Sequence, residues 1–314
     1  MPLHALLMFL GSIACVRRLS RSAKIDCIDA HFVYPDGLAA VLLGKMLGVP
    51  VTVSARGTDI NLFPSFRLIR PMIRWTLSQA DCVIAVSGAL KEAMVRLGVN
   101  PHKVRVISNG VNAELFRLMD RKTARRNLDL PPQAPLLVSV GALIRPKGHL
   151  TLIRAFARTA PRHPGMKLYI LGEGPLRFEL ESLVCELSLQ DKVRLPGKRP
   201  NEELPQWFNA ADVSLLTSER EGWPNVLTES LACGTPVVAT RVGGVPEILH
   251  SPELGIVVDQ TIDSVADGLE RALLKTWDRE AISKQTRART WNTVAGELEG
   301  VFSEQLQAWA AAEQ

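Results

Sequence analysis

The chain has 314 residues, 46% of them hydrophobic and 22% charged, with a formal net charge of +5. That balance suits a globular protein of two domains and excludes a disordered or fibrous one. The small basic surplus suits anionic substrates or a membrane surface. With aromatic residues at 5% and no RNA-recognition or zinc-finger spacing, nothing points to nucleic acid as a partner.

The chain opens with a mostly apolar run over 3–16, shorter than the roughly 20 residues of a membrane span. Arg17, Arg18, Arg21 and Lys24 follow it, the reverse of the order in a signal peptide. The run reads as a core-facing helix ending in a basic turn, with an interfacial membrane helix as the alternative. Strands are then predicted over 25–30, 51–55, 82–86, 104–107, 136–140, 167–171, 193–195, 213–216, 236–240 and 255–258, with helical stretches between them. Such alternation means βαβ units, here four strands followed by about six, hence two parallel sheets. The charged segment 120–127 and the stiff Pro131-Pro132-Gln133-Ala134-Pro135 suggest a linker between them. The expected division is 1–118, 119–288 and a helical tail over 289–314 that packs back on the first domain. The five cysteines are scattered in apolar surroundings and read as buried reduced thiols, with no zinc site among them.

In open parallel sheets, ligands lie off the carboxyl ends of strands, so loops after strands carry the information. The loop after 213–216 reads Ser218-Glu219-Arg220-Glu221-Gly222-Trp223-Pro224-Asn225-Val226-Leu227-Thr228-Glu229 and leads to Cys233-Gly234-Thr235-Pro236. A glycine loop feeding a helix N-terminus offers backbone N–H groups and partial positive charge, which suits phosphate. Glu229, one turn into that helix, points back toward the loop, within reach of sugar hydroxyls.

This string resembles the retaining family-4 glycosyltransferases, whose hallmark is two glutamates separated by seven residues. The resemblance extends through Gly141-Ala142-Leu143-Ile144-Arg145-Pro146-Lys147-Gly148, Gly172-Glu173-Gly174-Pro175, Asn109-Gly110-Val111-Asn112 and Gly243-Gly244-Val245-Pro246-Glu247. It implies a GT-B fold of two Rossmann-like domains and sugar transfer from a nucleotide diphosphate sugar to a saccharide or lipid-linked acceptor. By the same resemblance Glu229 would hold the ribose, and Glu221 with the backbone of Gly222, Trp223 and Pro224 would hold the transferred sugar. The N–H groups of Asn225, Val226 and Leu227 would face the pyrophosphate, with Gly174 and Asn109 in neighbouring donor loops. Lys147, assisted by Arg145, would neutralise the leaving diphosphate, and Lys198 and Arg199 would meet the base. No Asp-x-Asp occurs, so no metal is expected, Lys147 and the helix end taking its role.

Three departures from the family pattern stand out. Ala142 stands where an arginine is frequent, leaving Arg145 as the substitute. Arg56 stands where many relatives have histidine, and arginine cannot act as a base. The chain also has no match to the family's opening strand and Gly-Gly loop, so the first domain is expected to be incomplete, with an open sheet edge. A truncated, non-catalytic remnant that binds nucleotide sugars is the rival reading. On the acceptor side the candidates are His31, Tyr34, Asp36, Arg56 and Asp59, in loops after the first two strands. Arg67, Arg70 and Arg74, at helical spacing in a stretch without acids, are candidates for contact with acidic lipid headgroups at the cytoplasmic face of a membrane.

Overall fold

A computed structural model describes residues 3–312. They form two compact units, one running to Asn109 and resuming at Asn292, the other spanning Gly110–Trp291. The change of unit at Asn109/Gly110 precedes the boundary expected at 118/119.

The first unit holds a parallel sheet of β1 (Ile28–His31), β2 (Val51–Ala55), β3 (Cys82–Ala85) and β4 (Val104–Val106), in that order across the sheet. All five residues of β2 are buried, as befits an apolar parallel strand covered on both faces. β1 begins three residues later than predicted because its partner starts only at Val51, to which Ile28 is paired. Ser87 caps the helix Gly88–Arg96, its Oγ accepting the Leu90 N–H at 3.2 Å. The helix Trp291–Ala312 packs on this sheet: Val294 joins Ile84 and Ile107, and Thr52 Oγ1 donates to Gln305 Oε1 at 2.5 Å.

The opening segment departs from expectation. It is helical over His4–Ser22, but only Ala5 is fully buried, while Leu3, Leu6, Leu7 and Leu10 face solvent. Ala5 and its half-buried neighbours already fill the space against helix Leu38–Leu47, so the leucine stripe on the opposite side has no core to enter. Cys15 and Cys185 are likewise exposed rather than buried.

The second unit contains β5 (Leu136–Val140), β6 (Lys167–Leu171), β7 (Val193–Gly197), β8 (Val213–Leu216), β9 (Val237–Thr240) and β10 (Gly255–Val258), all parallel. Their order is β10-β9-β8-β5-β6-β7. The direction of winding reverses between β5 and β8, so the loops leaving those two strands diverge and open a crevice. Segment 120–127 is not a linker. It is the helix Arg121–Asn127 of this unit, and Arg125 within it is 4% exposed. The Arg125 guanidinium donates to Asp212 Oδ2 at 2.8 Å and to Pro132 O at 2.9 Å, while Asp212 Oδ2 also accepts the Leu136 N–H at 2.7 Å. The proline-rich entry is thereby tied to the start of β5, and a buried charge is fully hydrogen-bonded.

Candidate active site

The crevice between β5 and β8 is built by backbone before any side chain enters it. Glu219 N donates to Pro146 O at 2.8 Å, and Thr217 Oγ1 donates to Gly148 O at 3.0 Å. Gly148 is obligatory there: its φ is +68°, and a Cβ would lie 1.9 Å from Thr217 O. Gly243 meets the same condition from β9, with φ +49° and a virtual Cβ 2.2 Å from Glu221 O. Gly174 lies against the backbone of Leu143, whose N–H donates to Glu173 O at 2.9 Å. Four loops are thus fastened to one another at the carboxyl end of the sheet.

That fastening delivers Lys147 Nζ to 2.6 Å from Glu221 Oε1. Ser218 Oγ donates to the same oxygen at 2.7 Å, and Ser218 is itself held by Thr240 Oγ1, which donates to Ser218 O at 2.6 Å. Glu221 is 11% exposed and Lys147 26%, so the pair is partly withdrawn from water and stronger than a surface ion pair. Arg145 does not join it. In the tight turn Arg145–Lys147 consecutive side chains point about a third of a turn apart, and Arg145 reaches Glu179 at 3.4 Å while 72% exposed.

The helix Asn225–Ala232 follows with Pro224 at its cap. Leu227 N is already donated to Pro224 O at 3.0 Å, so this N–H is not offered to a ligand as expected. Gly222 O accepts the Gly244 N–H at 2.9 Å, and Trp223 and Val226 pack against the core around Leu227, the Trp223 indole N–H being buried without a partner. In the second turn the Glu229 carboxyl group has no hydrogen-bond or ion-pair partner among the described residues. Burial alone pushes its pKa up to about 7. Asn225 lies in the first turn, its carbonyl accepting Thr228 Oγ1 at 2.8 Å.

Beside these loops lies a cavity of about 380 Å³ at the ends of β5, β6 and β7, lined by Gly141, Ala142, Gly172, Glu173, Lys198 and Arg199 among others. Arg199 Nη2 donates to Pro196 O at 3.2 Å. A flat nucleobase fits a slot of this size between glycine loops. Among the described residues no group of three or more His, Cys, Asp or Glu is placed to hold a metal ion.

In the first unit the acceptor candidates separate. Asp59 is fully buried and accepts the backbone N–H groups of Val33 (2.9 Å), Gly57 (2.8 Å) and Arg56 (3.1 Å), so it is a knot that ties two loops together rather than a ligand group. Tyr34 is also buried, its ring edge-on to Phe63 at 6.4 Å. Asp36 lies half-buried in the turn Val33–Gly37. His31 and Arg56 do come together. Asp29 Oδ2 lies 3.0 Å from His31 Nε2, Arg56 Nε donates to His31 Nδ1 at 3.1 Å, and Arg56 Nη1 donates to Asn109 Oδ1 at 3.2 Å. Asn109, expected among the donor residues, therefore belongs to this first-unit network.

Three participants escaped the sequence reading: Ser218, Thr240 and His149. Ser218 had a signal, being three residues before Glu221 at the head of the same loop. His149, just after Gly148, is 2% exposed, and burial, aided by the Lys147 charge, lowers its pKa to about 4 against the pull of the Ala142 and Gly141 backbone, so it is neutral beneath the lysine loop.

Two parallel sheets, the second with a charged pair at its switch point, make this an α/β protein of the GT-B class. Residues 120–289 match the family Glycosyl transferases group 1 and residues 2–115 match Glycosyltransferase Family 4; the chain belongs to the group 1 glycosyl transferases. It is 34% identical to the D-inositol 3-phosphate glycosyltransferase of Acidothermus cellulolyticus, covering 98% of this chain and 73% of that protein. It is 27% identical to N-acetyl-alpha-D-glucosaminyl L-malate synthase of Bacillus anthracis, covering 86% and 73%. Among solved structures, sucrose-phosphate synthase from Thermosynechococcus elongatus superposes with a TM-score of 0.80 at 26% identity, covering 96% of this chain and 79% of that one. Anabaena HepE in complex with UDP superposes at 0.81 with 21% identity, covering 93% and 82%. Each unit has its own family match, so the expectation of a truncated remnant is not supported. Among the described residues no helix is long and apolar enough to cross a membrane.

Proposed function

We propose that the chain transfers a sugar from a nucleoside diphosphate sugar to a hydroxyl of a saccharide or lipid-linked acceptor, with retention at the anomeric carbon and without a metal ion. The observation that carries this reading is the Lys147–Glu221 pair at 2.6 Å, clamped by Ser218 at the switch point of the second sheet. Breaking a sugar–phosphate bond puts negative charge on the departing diphosphate and positive charge on the ring. Lys147 and the N-terminal end of helix Asn225–Ala232 present fixed positive charge where the diphosphate leaves, and this stabilises the transition state more than the ground state. Until a donor arrives, Glu221 holds the ammonium in position, so little reorganisation is needed when the phosphates enter. Glu221 then faces the sugar with the backbone of Gly222, Trp223 and Pro224, and Glu229 takes two ribose hydroxyls as its hydrogen-bond partners. Lys147 stands in for the divalent cation that other transferases use as a clamp. The complex of HepE with UDP supports a nucleotide-sugar donor, and the names of the two relatives support a hydroxyl acceptor.

Calorimetric titration with UDP, GDP, ADP and their sugar conjugates tests the donor half of this reading. One nucleotide series should bind, and Glu229→Gln should weaken that binding about 30-fold. A folded protein that binds none of them refutes it. Proton NMR of the product reports retention, and an unchanged rate in EDTA reports metal independence.

A further inference from the structure

At the amino end of the second sheet, away from the transfer crevice, cations gather around a single carboxylate. Asp212, just before β8, accepts Arg121 Nη1 at 2.6 Å on one oxygen and Arg125 Nη2 at 2.8 Å on the other. Arg279 stands beside them. Its guanidinium donates to the carbonyls of Ala211 at 3.1 Å and Asn209 at 3.2 Å, so it is fixed in place, and it has no ion-pair partner among the described residues. Burial, and after it the Arg121 charge, push the Arg279 pKa down to about 10, as befits a cation among cations. Three arginines thus surround one carboxylate, and such an excess of partly desolvated charge is costly to hold.

A cavity of about 390 Å³ opens onto this group. Pro135, Asp212 and Pro236, the residues before β5, β8 and β9, lie in its wall. Arg121, Arg279 and Lys275 line it together with Trp277, and Asp212 is the one carboxylate among the described lining residues. Lys275 is exposed, its Nζ donating to Pro252 O at 2.6 Å and lying 4.2 Å from the centre of the Trp277 ring. His163 also lines the cavity, and Glu270, 3.2 Å from its Nε2, is matched by Arg162 at 3.3 Å.

We infer that this cavity is an anion site, separate from the donor crevice, that takes a small phosphate monoester. Such an ester carries a charge near −2 at neutral pH, which balances the excess of cations over Asp212. Arg121 and Lys275 each have N–H donors left over for the phosphate oxygens, and Arg279 adds charge. The remaining space, bounded by Ala272, Leu273 and Trp277, suits a short carbon body. A metal cation is repelled by this set, and a neutral ligand leaves the excess charge in place. β5 and β8 run from this cavity to the loops of Lys147 and Glu221, a strand length of roughly 15 Å, so one phosphate cannot occupy both sites.

Calorimetric titration of the full chain with glycerol 3-phosphate, and with glycerol as the uncharged control, tests this. Saturable binding of the ester alone is expected, weakened about tenfold or more by R121Q/K275Q and less than about twofold by K147A. Arg125 still holds Asp212 in R121Q/K275Q, so circular dichroism and nucleotide titration should match wild type. K275Q alone, a change at an exposed side chain, should weaken binding about threefold and keeps the test open if the double variant unfolds. Three results overturn the inference: no saturable binding by the folded chain or equal binding of glycerol, an affinity that falls with K147A instead, which would put the phosphate in the donor crevice, or the same affinity in every variant, which would make the binding a general salt effect.

Discussion

The two sheets are built from the same βα unit but wind differently. The second reverses direction between β5 and β8, whereas the described strands of the first run β1-β2-β3-β4 without a reversal. At the reversal two loops part, and the charged groups of the second unit gather in that gap. In the first unit the loops after β1 and β2 stay neighbours and tie themselves shut, with Asp59 spending its carboxylate on three backbone N–H groups. A carboxylate that follows a strand is therefore no guide to chemistry by itself. What counts is whether neighbouring loops diverge around it or close over it.

Substitutions can break this contrast. The largest effect on activity is expected for Lys147→Ala, which removes the cation aimed at the leaving group. We expect kcat/KM to fall about 10³-fold, or about 4 kcal/mol, with Tm almost unchanged. A loss below about tenfold would place the leaving-group charge elsewhere. Asp59→Ala should do the opposite. Leaving its N–H partners unsatisfied should cost about 3 kcal/mol of stability in urea unfolding, while nucleotide affinity holds. Weakened nucleotide binding in the folded variant would end the assignment of Asp59 as a structural knot.

Glu229→Gln combines both kinds of effect. Donor affinity should fall about 30-fold, a charged hydrogen bond's worth. Stability should move the other way with pH. The wild-type carboxyl is raised from 4.5 to about 7 in the folded state, so folding takes up a proton between those values and stability is lost as pH rises through them. Above about pH 7 the penalty is complete, and the glutamine variant should then exceed wild type by up to about 3 kcal/mol; below about pH 4 they should coincide. Parallel stability curves for the two proteins would show that the carboxyl is better solvated than its burial suggests. Ser218→Ala should cost kcat about fivefold to tenfold by loosening Glu221, near 1 kcal/mol. Arg145→Gln, remote from the pair, should change kcat less than about twofold.

Much of this was legible in the sequence because local and global signals agree. β2, β5, β6, β8 and β10 occupy the predicted residues, each a short and mostly apolar run, and the segments that carry Lys147, Glu221 and Glu229 have their own glycine and proline punctuation. What failed depends on distance in space. Nothing in Asp120–Asn127 reveals that Arg125 will find Asp212, 87 residues on. Asp59 and Glu229 both lie in short helices that follow strands; the Arg56 and Gly57 N–H groups that Asp59 accepts are local, but the Val33 N–H comes from 26 residues away and its arrival could not be read from the sequence. The opening leucines follow a helix period faithfully, yet a period states which residues share a face and is silent on whether that face meets protein.

Gly110 sits so close to Thr290 that a Cβ would lie 2.4 Å from its carbonyl carbon, and Val111 N donates to Arg289 O at 3.0 Å. The chain therefore enters and leaves the second unit at one point, as an insertion does. The first unit is finished only by residues from Asn292 on, which are made after the whole of the second unit. During synthesis the second unit can close while the face of β3 and β4 that receives Val294 still waits for its helix. The reversed order of completion makes the first unit the one that depends on the segment after Trp291. A stop codon or proteolytic nick after Trp291 would strip the older half of the chain of its cover and leave the younger half whole.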